Sequence, residues 1–455
     1  MARHSRSPKR GAAPTLEALK RTRIPAGFLD AWHRLVAKWE VPTLPGRRGR
    51  KPRVPVRDLL PALTFHVLNE AGTLSEHFAQ LFDAPLADSS WADRRARLPW
   101  QIFADLMQRV LRPQATRQQP DAFWRGWRVV ALDGTQFSLI NTAQISAAVP
   151  KAATRRGPAA FAKMTTAVLL EVGLHNPLAA AIGRHGESEW ALAQQLLAHL
   201  PKHALLLGDR LYGVIAFAQA AQRACQRVGS HFLLRASRSV KPRLLRRLAD
   251  GTRLVGLAVR APHHPSRVIA WLEVREIRVR VGRPGARSHE LRLWTSLVDP
   301  RTAPALELAE LYARRWEHEL YFRELKRQLR KTALLQSHTV DTAAQEVAAL
   351  ILVSALIATE RARAAPHDVA VLRVSFAKVL EWVRASWVAI TQFDDVITKR
   401  QMDIYFRRVY HHMGRCITAE RRPRSYPRAV RQPVTRWPRL LRNESIKGPM
   451  HLRVV

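Results

Sequence analysis

Cysteine is scarce in this chain of 455 residues, which contains only Cys225 and Cys416. The two are far apart and neither belongs to a CxxC motif, so the sequence indicates no disulfide framework and no thiolate metal site. The histidine pairs at 263–264 and 411–412 also lack a complete set of transition-metal ligands. These absences predict a disulfide-free, cytoplasmic protein.

A hydrophobic run long enough to cross a membrane is also missing. The longest apolar stretch, Val347 to Thr359, lies between two glutamates and is shorter than the roughly 18 residues that a spanning helix needs. The basic start of the chain, residues 1–10, has no apolar core of the kind found in signal peptides. We therefore predict a core helix at 347–359 and no membrane partner.

Acidic residues are few compared with basic ones. The 36 Asp and Glu stand against 75 Lys and Arg, which gives a formal net charge of +39 and a pI near 11.6. Such a field attracts polyanions of any sequence, and the binding weakens with salt because counterions are released. Since 47% of the residues are hydrophobic, the chain can still bury real cores. We expect a nucleic-acid partner and a nucleoid-associated location.

Two of the scarce acids follow apolar runs that are short enough to be strands. Asp133 follows 128–132 and precedes a second predicted strand at 136–140, and Asp209 follows 204–207. Carboxylates at strand ends point into the crevice where open sheets place their chemistry. Taken singly, either Asp is more often a turn or helix-cap residue.

A third acid, Glu319, lies in a run where polar and aromatic residues recur at steps of three and four. These residues are Tyr312, Arg315, Glu319, Phe322 and Lys326. One α-helix from 312 to 326 would place all of them on one face. A carboxylate held between an Arg and a Lys suits a metal site beside a phosphate backbone. For the helix alone, a solvated surface with i,i+4 ion pairs remains an equal alternative.

Together the three acids resemble those of the DDE transposases of bacterial insertion sequences, in particular the large "IS-four" family. In that family the first acid stands in a strand before Gly-Thr, and the second begins Asp-Arg-Gly-Tyr. The third is the Glu of the pattern Tyr, two residues, Arg, three residues, Glu, six residues, Lys. Asp133, Asp209 and Glu319 take these positions, with Leu211 in place of the usual Gly. The resemblance also includes 293–297 and 424–428, and so covers most of the chain.

This resemblance implies the fold class and the chemistry. We expect an α/β protein in which an RNase H-like mixed sheet is flanked by helices, with a β-rich insertion before the last catalytic helix and helical N- and C-terminal regions. Three carboxylates without a His/Cys set suit Mg2+, with Mn2+ also accepted. Two ions would support cleavage at the element ends and attack of the 3′-hydroxyl on target DNA. Arg315 and Lys326 would hold phosphates and Tyr312 would position the strand.

Changes of pattern along the chain predict five regions. They are a helical DNA-binding region (1–120), the first part of the catalytic core (121–234), the β-rich insertion (235–304), the last part of the core with the Glu-bearing helix (305–365), and a helical region with a basic tail (366–455). Short turns between the early core strands favour antiparallel pairing, whereas helices between the later ones favour parallel crossovers. In the DNA complex we expect a dimer or higher oligomer.

The N-terminal region carries two candidate DNA contacts. Predicted helices at 74–82 and 90–98 resemble a helix-turn-helix, although an ordinary helical hairpin is equally compatible with the long turn. Arg48 and Arg50 flank a glycine in the segment 46–53 and would fit an A·T-rich minor groove. A plain basic linker between helices at 28–39 and 56–69 is nearly as good an explanation.

The insertion carries further candidates. Arg278 and Arg280 alternate with apolar residues, which predicts a strand with one basic face and one packed face. In related transposases an aromatic residue of the insertion holds a flipped base, and Trp294 and Trp271 are the candidates for that role here. Core packing is favoured for both.

Two other functions fit much of this pattern. One is an RNase H-like nuclease that hydrolyses DNA without strand transfer, and the other is a catalytically inactive DNA-binding protein derived from a transposase. The Tyr-Arg-Glu-Lys pattern favours transposition over the first, and the intact acids argue against the second.

Overall fold

The computed structural model describes residues 56–69, 71–82, 86–154, 157–282, 289–330, 332–393, 396–419 and 451–454. The predicted helix at 28–39, the segment with Arg48 and Arg50, and the basic tail at 421–442 lie outside these residues.

Helices begin the described chain, flank its sheet and form most of its C-terminal part. In chain order they are α1 (Val56–His66), α2 (Leu74–Phe82), α3 (Asp88–Ala96), α4 (Trp100–Val110), α5 (Ala143–Ala148), α6 (Glu189–Leu196), α7 (Ile215–Arg227), α8 (Ala305–Ala313), α9 (Trp316–Arg323), α10 (Val340–Ala364), α11 (Phe376–Phe393) and α12 (Lys399–Arg415). A π-helical segment, Glu324–Leu329, directly follows α9.

The strands lie mainly between α4 and α8. They are β1 (Phe123–Trp124), β2 (Trp127–Leu139), β3 (Ala153–Thr154), β4 (Gly157–Pro158), β5 (Lys163–Glu171), β6 (Asn176–Ile182), β7 (Ala204–Gly208), β8 (His231–Arg235), β9 (Arg243–Arg247), β10 (Arg253–Ala261), β11 (His264–Gly282), β12 (His289–Thr295), β13 (Leu334–Leu335) and β14 (His451–Val454).

One mixed sheet organises the core in the order β6-β5-β2-β7-β8. The first three strands pair antiparallel, and a short turn joins β5 to β6. From β2 onward, β7 and β8 run parallel, and helices make the long connections that parallel pairing requires. This is the RNase H-like arrangement, a mixed α/β sheet with flanking helices, that the sequence predicts.

The insertion continues the same sheet. Strand β8 pairs with β12, and β11, β10 and β9 follow in order. The C-terminal strand β14 pairs with the far end of β11, a strand that the predicted helical region with a basic tail at 366–455 did not include. The β-rich insertion, strands β9 to β12, is therefore a lateral extension of the central sheet.

Strand β2 is longer than predicted. Two strands with a break near Asp133 were expected, but β2 pairs with β5 without interruption from Val130 to Ser138. Gly134 faces Ala167 of β5 inside this ladder, so the glycine does not end the strand. The prediction of a strand end at Asp133 is wrong. The strand that ends beside Asp133 is β7, whose pairing with β2 stops at Gly208.

The predicted single α-helix from 312 to 326 is also wrong. Helix α8 ends at Ala313, and the N–H groups of Arg314, Arg315, Glu317 and His318 donate to carbonyls three residues back. This tight turn is followed by α9 and then by wider π-helical turns. Each change of helix type rotates the side chains that follow, so the stripe at steps of three and four is not one continuous face.

The long helix α10 is the core helix predicted at 347–359. It is long and apolar enough to cross a membrane by length and composition alone, but 83% of its most apolar window is buried inside the protein. It packs against α1, α4, α11 and β6. Its hydrophobic side chains therefore form the centre of the helical half of the molecule.

A buried ionic network fixes α9 against the sheet. His175, in the turn between β5 and β6, adopts a left-handed backbone conformation with φ 54°. Its Nε2 lies 2.9 Å from Glu317 Oε2, and its Nδ1 lies 2.6 Å from Glu324 Oε2. Arg361 of α10 contacts the other oxygen of Glu324 at 3.3 Å. The two glutamates flank Glu319 in sequence, so this network positions the helix that carries it.

We predict that this network makes stability depend on pH. Burial lowers the pKa of His175, but attraction to Glu324 and hydrogen bonds to both glutamates outweigh burial and repulsion from Arg361, so the pKa is raised overall. The stabilisation that protonated His175 gives the folded state is therefore complete below its unfolded pKa of about 6.5. It disappears as pH rises through the raised pKa of His175 in the folded protein. His175→Asn, which tolerates the left-handed backbone, should cost about 1–3 kcal/mol at pH 6 and much less at pH 9.

Urea unfolding at the two pH values measures this difference. The matched control is His203→Asn, because His203 is exposed and also has a positive φ of 51°. A destabilisation by His175→Asn that is equal at both pH values would show that the imidazole is not charged in this network.

Candidate active site

The register between β2 and β7 places two acids side by side. Leu132 pairs with Gly208 in the last step of this parallel ladder, and Asp133 and Asp209 are the next residues. Neighbouring strands lie roughly 4.8 Å apart, so the two carboxylates lie next to each other where β7 ends. Asp209 accepts a hydrogen bond from the N–H of Leu211 at 2.7 Å, which shapes the turn that leaves the strand.

Asp133 lies in a poorly solvated position. Burial raises its pKa to about 7, and repulsion from Asp209 adds to the rise, whereas the Arg315 guanidinium and the N–H of Gly134 oppose it. That N–H lies 2.9 Å from Asp133 Oδ1. Because burial destabilises the ionised form of Asp133, a nearby positive charge is needed to stabilise that form.

Arg315 supplies such a charge between two acids. Its Nη1 lies 3.3 Å from Asp133 Oδ2, and its Nη2 lies 3.2 Å from Glu319 Oε1. Arg315 is buried in the turn between α8 and α9, whereas the Glu319 side chain is 43% exposed. Glu319 therefore faces the same crevice as Asp133, but with a guanidinium between them.

The other two motif residues take different positions. Tyr312 is buried in the core beneath the sheet, and burial raises its pKa to about 12, so its ring packs rather than facing a DNA strand. Lys326 reaches β2, where its Nζ donates to Gln136 O at 2.8 Å. Burial and repulsion from Arg330 and Lys163 lower its pKa to about 8. Lys326 thus lies three residues along the strand from Asp133.

The sequence analysis missed a fourth carboxylate beside these groups. Glu189 begins α6, and its Oε1 accepts a hydrogen bond from the buried Tyr212 hydroxyl at 2.9 Å. Its side chain fills the space beside Gly134. The sequence signal was limited to Ser188-Glu189 as a helix start, which is too common to single out a residue.

No group of three or more His, Cys, Asp or Glu within the described ranges is gathered closely enough to hold a metal ion. The structure brings Asp133 and Asp209 together, and it separates Glu319 from them by the Arg315 guanidinium. Carboxylate oxygens are nevertheless the ligands that Mg2+ prefers, so the donor chemistry fits a hard divalent cation. A set of three acids requires the Arg315 side chain to move.

Comparison with known families identifies the family of this chain. Residues 124–356 match the family model described as Transposase DDE domain, which is more than half of the 455 residues. The chain belongs to the DDE transposase family. The matched range includes Asp133, Asp209 and Glu319.

Individual relatives of this DDE family protein are distant. The chain is 27% identical over 249 residues to Transposase InsG for insertion sequence element IS4 from Escherichia coli (strain K12), and the match covers 54% of this chain and 55% of that relative. It therefore spans about half the relative's length. A cryo-EM structure of a piggyBac transposase synaptic complex with hairpin DNA superposes with a TM-score of 0.42 and 8% identity, over 87% of this chain and 84% of that one.

The insertion of this DDE protein agrees with the core packing favoured for Trp294 and differs from the prediction at Trp271. Trp294 is fully buried, and Glu276 lies 3.4 Å from its indole Nε1, so it packs in the core and offers no surface for base stacking. Trp271 is 51% exposed, which contradicts the core packing favoured for it. Arg278 contacts the buried Glu276 at 2.8 Å, whereas Arg280 is exposed.

We predict that Arg315 stabilises the acids it separates. In Arg315→Gln, ionised Asp133 loses the positive charge that offsets its burial, so the protein should lose about 1–3 kcal/mol of unfolding free energy at pH 8. At pH 5 the loss should be smaller, because a carboxyl with a pKa of about 7 is then mostly neutral. Urea unfolding with a metal chelator present measures both values.

Arg327→Gln is the matched control, since Arg327 is an exposed arginine on the adjoining π-helical segment. A loss for Arg315→Gln that is no larger at pH 8 than at pH 5 would contradict the pairing with Asp133.

Proposed function

We propose that this protein is a DNA transposase that cuts at the ends of an insertion sequence and joins the freed 3′-hydroxyl to target DNA. The observation that carries the proposal is the pairing of β2 with β7, which puts Asp133 beside Asp209. Arg315 contacts both Asp133 and Glu319, and Lys326 contacts β2 three residues along the strand from Asp133. Acids for a divalent metal and cations for phosphate are the two parts that phosphoryl transfer on DNA needs.

Asp133 and Asp209 would hold the divalent cations, Mg2+ or Mn2+, and Glu319 would complete the set. Divalent ions bound there stabilise the negative charge that develops on the phosphate during cleavage and joining. Glu319 reaches the same ions only when the guanidinium leaves its place between the acids. A DNA phosphate is a suitable new partner for it, because Arg pairs with phosphate in bidentate geometry.

Lys326 acts from the β2 side of the crevice. Its amine rests on the carbonyl of Gln136 and above the ring of Phe137, which holds the side chain in one place near Asp133. A fixed cation at that position stabilises charge that forms in the transition state more than it strengthens initial binding. Tyr312 supports Arg315 from the core rather than touching the strand.

DNA would lie across the basic surface of the insertion strands β9 to β12. Strand β9 has the sequence Arg-Leu-Leu-Arg-Arg and is exposed along its whole length, and Arg243 lies over the exposed ring of Trp271 at 5.7 Å. Arginines and an exposed aromatic ring together suit phosphate contacts and base stacking. Arg280 of β11, and Arg48 and Arg50 outside the described residues, are further proposed DNA contacts. We propose double-stranded DNA as element end and target, a dimer or higher oligomer in the complex, and a location at the nucleoid.

Replacing each of the three acids tests this proposed function. Asp133→Asn, Asp209→Asn and Glu319→Gln should each reduce strand transfer of pre-cut ends by about a thousandfold or more, the scale of losing a central electrostatic contribution. Affinity for the same DNA should change little, since phosphate contacts elsewhere supply most of it. The assay uses the terminal sequences that flank the gene, with Mg2+ and with Mn2+.

Two controls separate the alternatives. Glu310→Gln replaces an exposed acid of the preceding helix α8, so it should retain joining. Hydrolysis without joining in the wild-type protein would identify a nuclease, and DNA binding without either reaction would identify an inactive derivative. Strand transfer that survives in any acid variant would remove that residue from the reaction centre.

A further inference from the structure

We propose that the exposed face of helix α12 binds the phosphate backbone of duplex DNA of any sequence, as a second DNA surface separate from the insertion strands. This inference rests on the proposed function for the identity of the polyanion, because a transposase must hold both an element end and a target. It goes beyond that function by assigning a surface outside residues 124–356, the range that matches the family model.

Helix α12 has one buried side and one exposed side. The buried side packs against α10 and α11, and its residues recur at steps of three and four. They are Met402, Phe406, Val409 and Met413. The exposed residues have the same period on the opposite side of the helix. They are Arg400, Ile404, Arg407, Arg408, His411 and Arg415. Asp403, the one acid in the sequence of α12, lies outside this arc and is partly buried.

The exposed face of α12 therefore carries four arginines and no acid. Within the part of the chain that the structure describes, no carboxylate forms an ion pair with any of these four guanidinium groups. Exposed positive charge without nearby acids attracts polyanions. A second copy of this chain is a poor occupant, because each copy has a formal net charge of +39 and the copies repel each other.

The length of the face fits a duplex. Arg400 and Arg415 lie roughly 22 Å apart along the axis of an α-helix. A helix of that length lying along DNA covers roughly six base pairs, since successive phosphates of one strand are spaced 3.4 Å apart along the duplex axis. All four arginines can therefore reach phosphates of one duplex. Phosphate contacts carry no sequence information directly, so the surface suits DNA of any sequence.

Helix α10 holds this face in a fixed position relative to the candidate active site. The Tyr410 hydroxyl of α12 donates at 2.6 Å to Glu360, a fully buried carboxylate of α10. The next residue of α10, Arg361, contacts Glu324 at 3.3 Å, directly after the helix that carries Glu319. Adjacent residues of α10 thus anchor both α12 and the Glu319 helix, so DNA bound on α12 would have a defined position relative to the acids.

The α12 face and the basic surface of the insertion lie on different sides of the sheet. Helix α12 packs against α10, which covers β6 at one edge of the sheet, whereas β9 forms the other edge. Eight strand spacings of roughly 4.8 Å lie between these edges, and β2 with Asp133 lies between them. DNA on α12 and DNA on the insertion would therefore approach the acids from different sides.

Binding of a random-sequence duplex, measured by fluorescence anisotropy at a series of salt concentrations, tests this surface without using activity. In the double variant Arg407→Gln with Arg408→Gln, the slope of log affinity against log salt should flatten by about two, roughly one for each lost phosphate contact. Both positions are exposed and Gln is a good helix former, so the fold should be retained, which thermal unfolding checks. Arg407→Lys with Arg408→Lys should keep the slope, because Lys also binds phosphate as a point charge.

The matched control is Arg97→Gln with Arg301→Gln. It removes the same two charges from exposed arginines that already pair with Asp93 and Asp299, so it should change the slope much less. A second arm uses Ile404, which is 43% exposed at the centre of the face. Ile404→Glu should weaken DNA binding by repelling phosphate, whereas the uncharged Ile404→Gln should bind as the wild-type protein does.

The outcomes distinguish this surface from the proposed function. A flatter slope in the Gln pair alone supports the proposal. A slope that is unchanged in the Gln pair, or that flattens equally in the Lys pair or the control, overturns the α12 surface, and the proposed function stands if the wild-type protein still joins element ends. Failure of the wild-type protein to bind duplex DNA overturns both.

Discussion

The parallel pairing of β7 with β2 is the constraint on which the site depends. It ends at Gly208, one residue before Asp209, while β2 continues past Asp133 because β5 still pairs with it on the other side. The end of β7 thus opens a gap beside a strand that remains fully ordered. Asp133 and Asp209 lie at this gap, and Arg315 contacts Asp133 from the turn between α8 and α9. Lys326 contacts β2 three residues further along the strand.

Charge balance explains why positively charged side chains lie beside these acids. Partly buried carboxylates repel one another, and a folded protein without bound cations needs positive groups near them. Arg315 supplies one between Asp133 and Glu319, and its own position is fixed by burial in the turn after α8. The network of His175, Glu317, Glu324 and Arg361 then fixes the next helix. The candidate site is therefore positioned by paired charges that extend from the sheet into α10.

Much of this was predictable from the sequence because its signals are local. The short apolar runs predicted β7 and the antiparallel strands β5 and β6, and the motifs around Asp133, Asp209 and Glu319 carried the resemblance to the family. The failures have physical reasons. A glycine inside an antiparallel ladder is indistinguishable in sequence from a glycine that ends a strand, and steps of three and four do not reveal where an α-helix changes to tighter or wider turns. Glu189 was missed because it meets Gly134 and Tyr212 only through the tertiary fold.

The central claim is that Asp133 and Asp209 form the core of a divalent cation site that Arg315 occupies in part until a cation arrives. Anomalous diffraction from crystals soaked with Mn2+ measures this most directly. The account predicts a Mn2+ peak in contact with the carboxylates of Asp133 and Asp209, and an Arg315 guanidinium that no longer bridges Asp133 and Glu319. A peak bound by other residues, or no peak beside Asp133 with the Arg315 bridge unchanged, would contradict it.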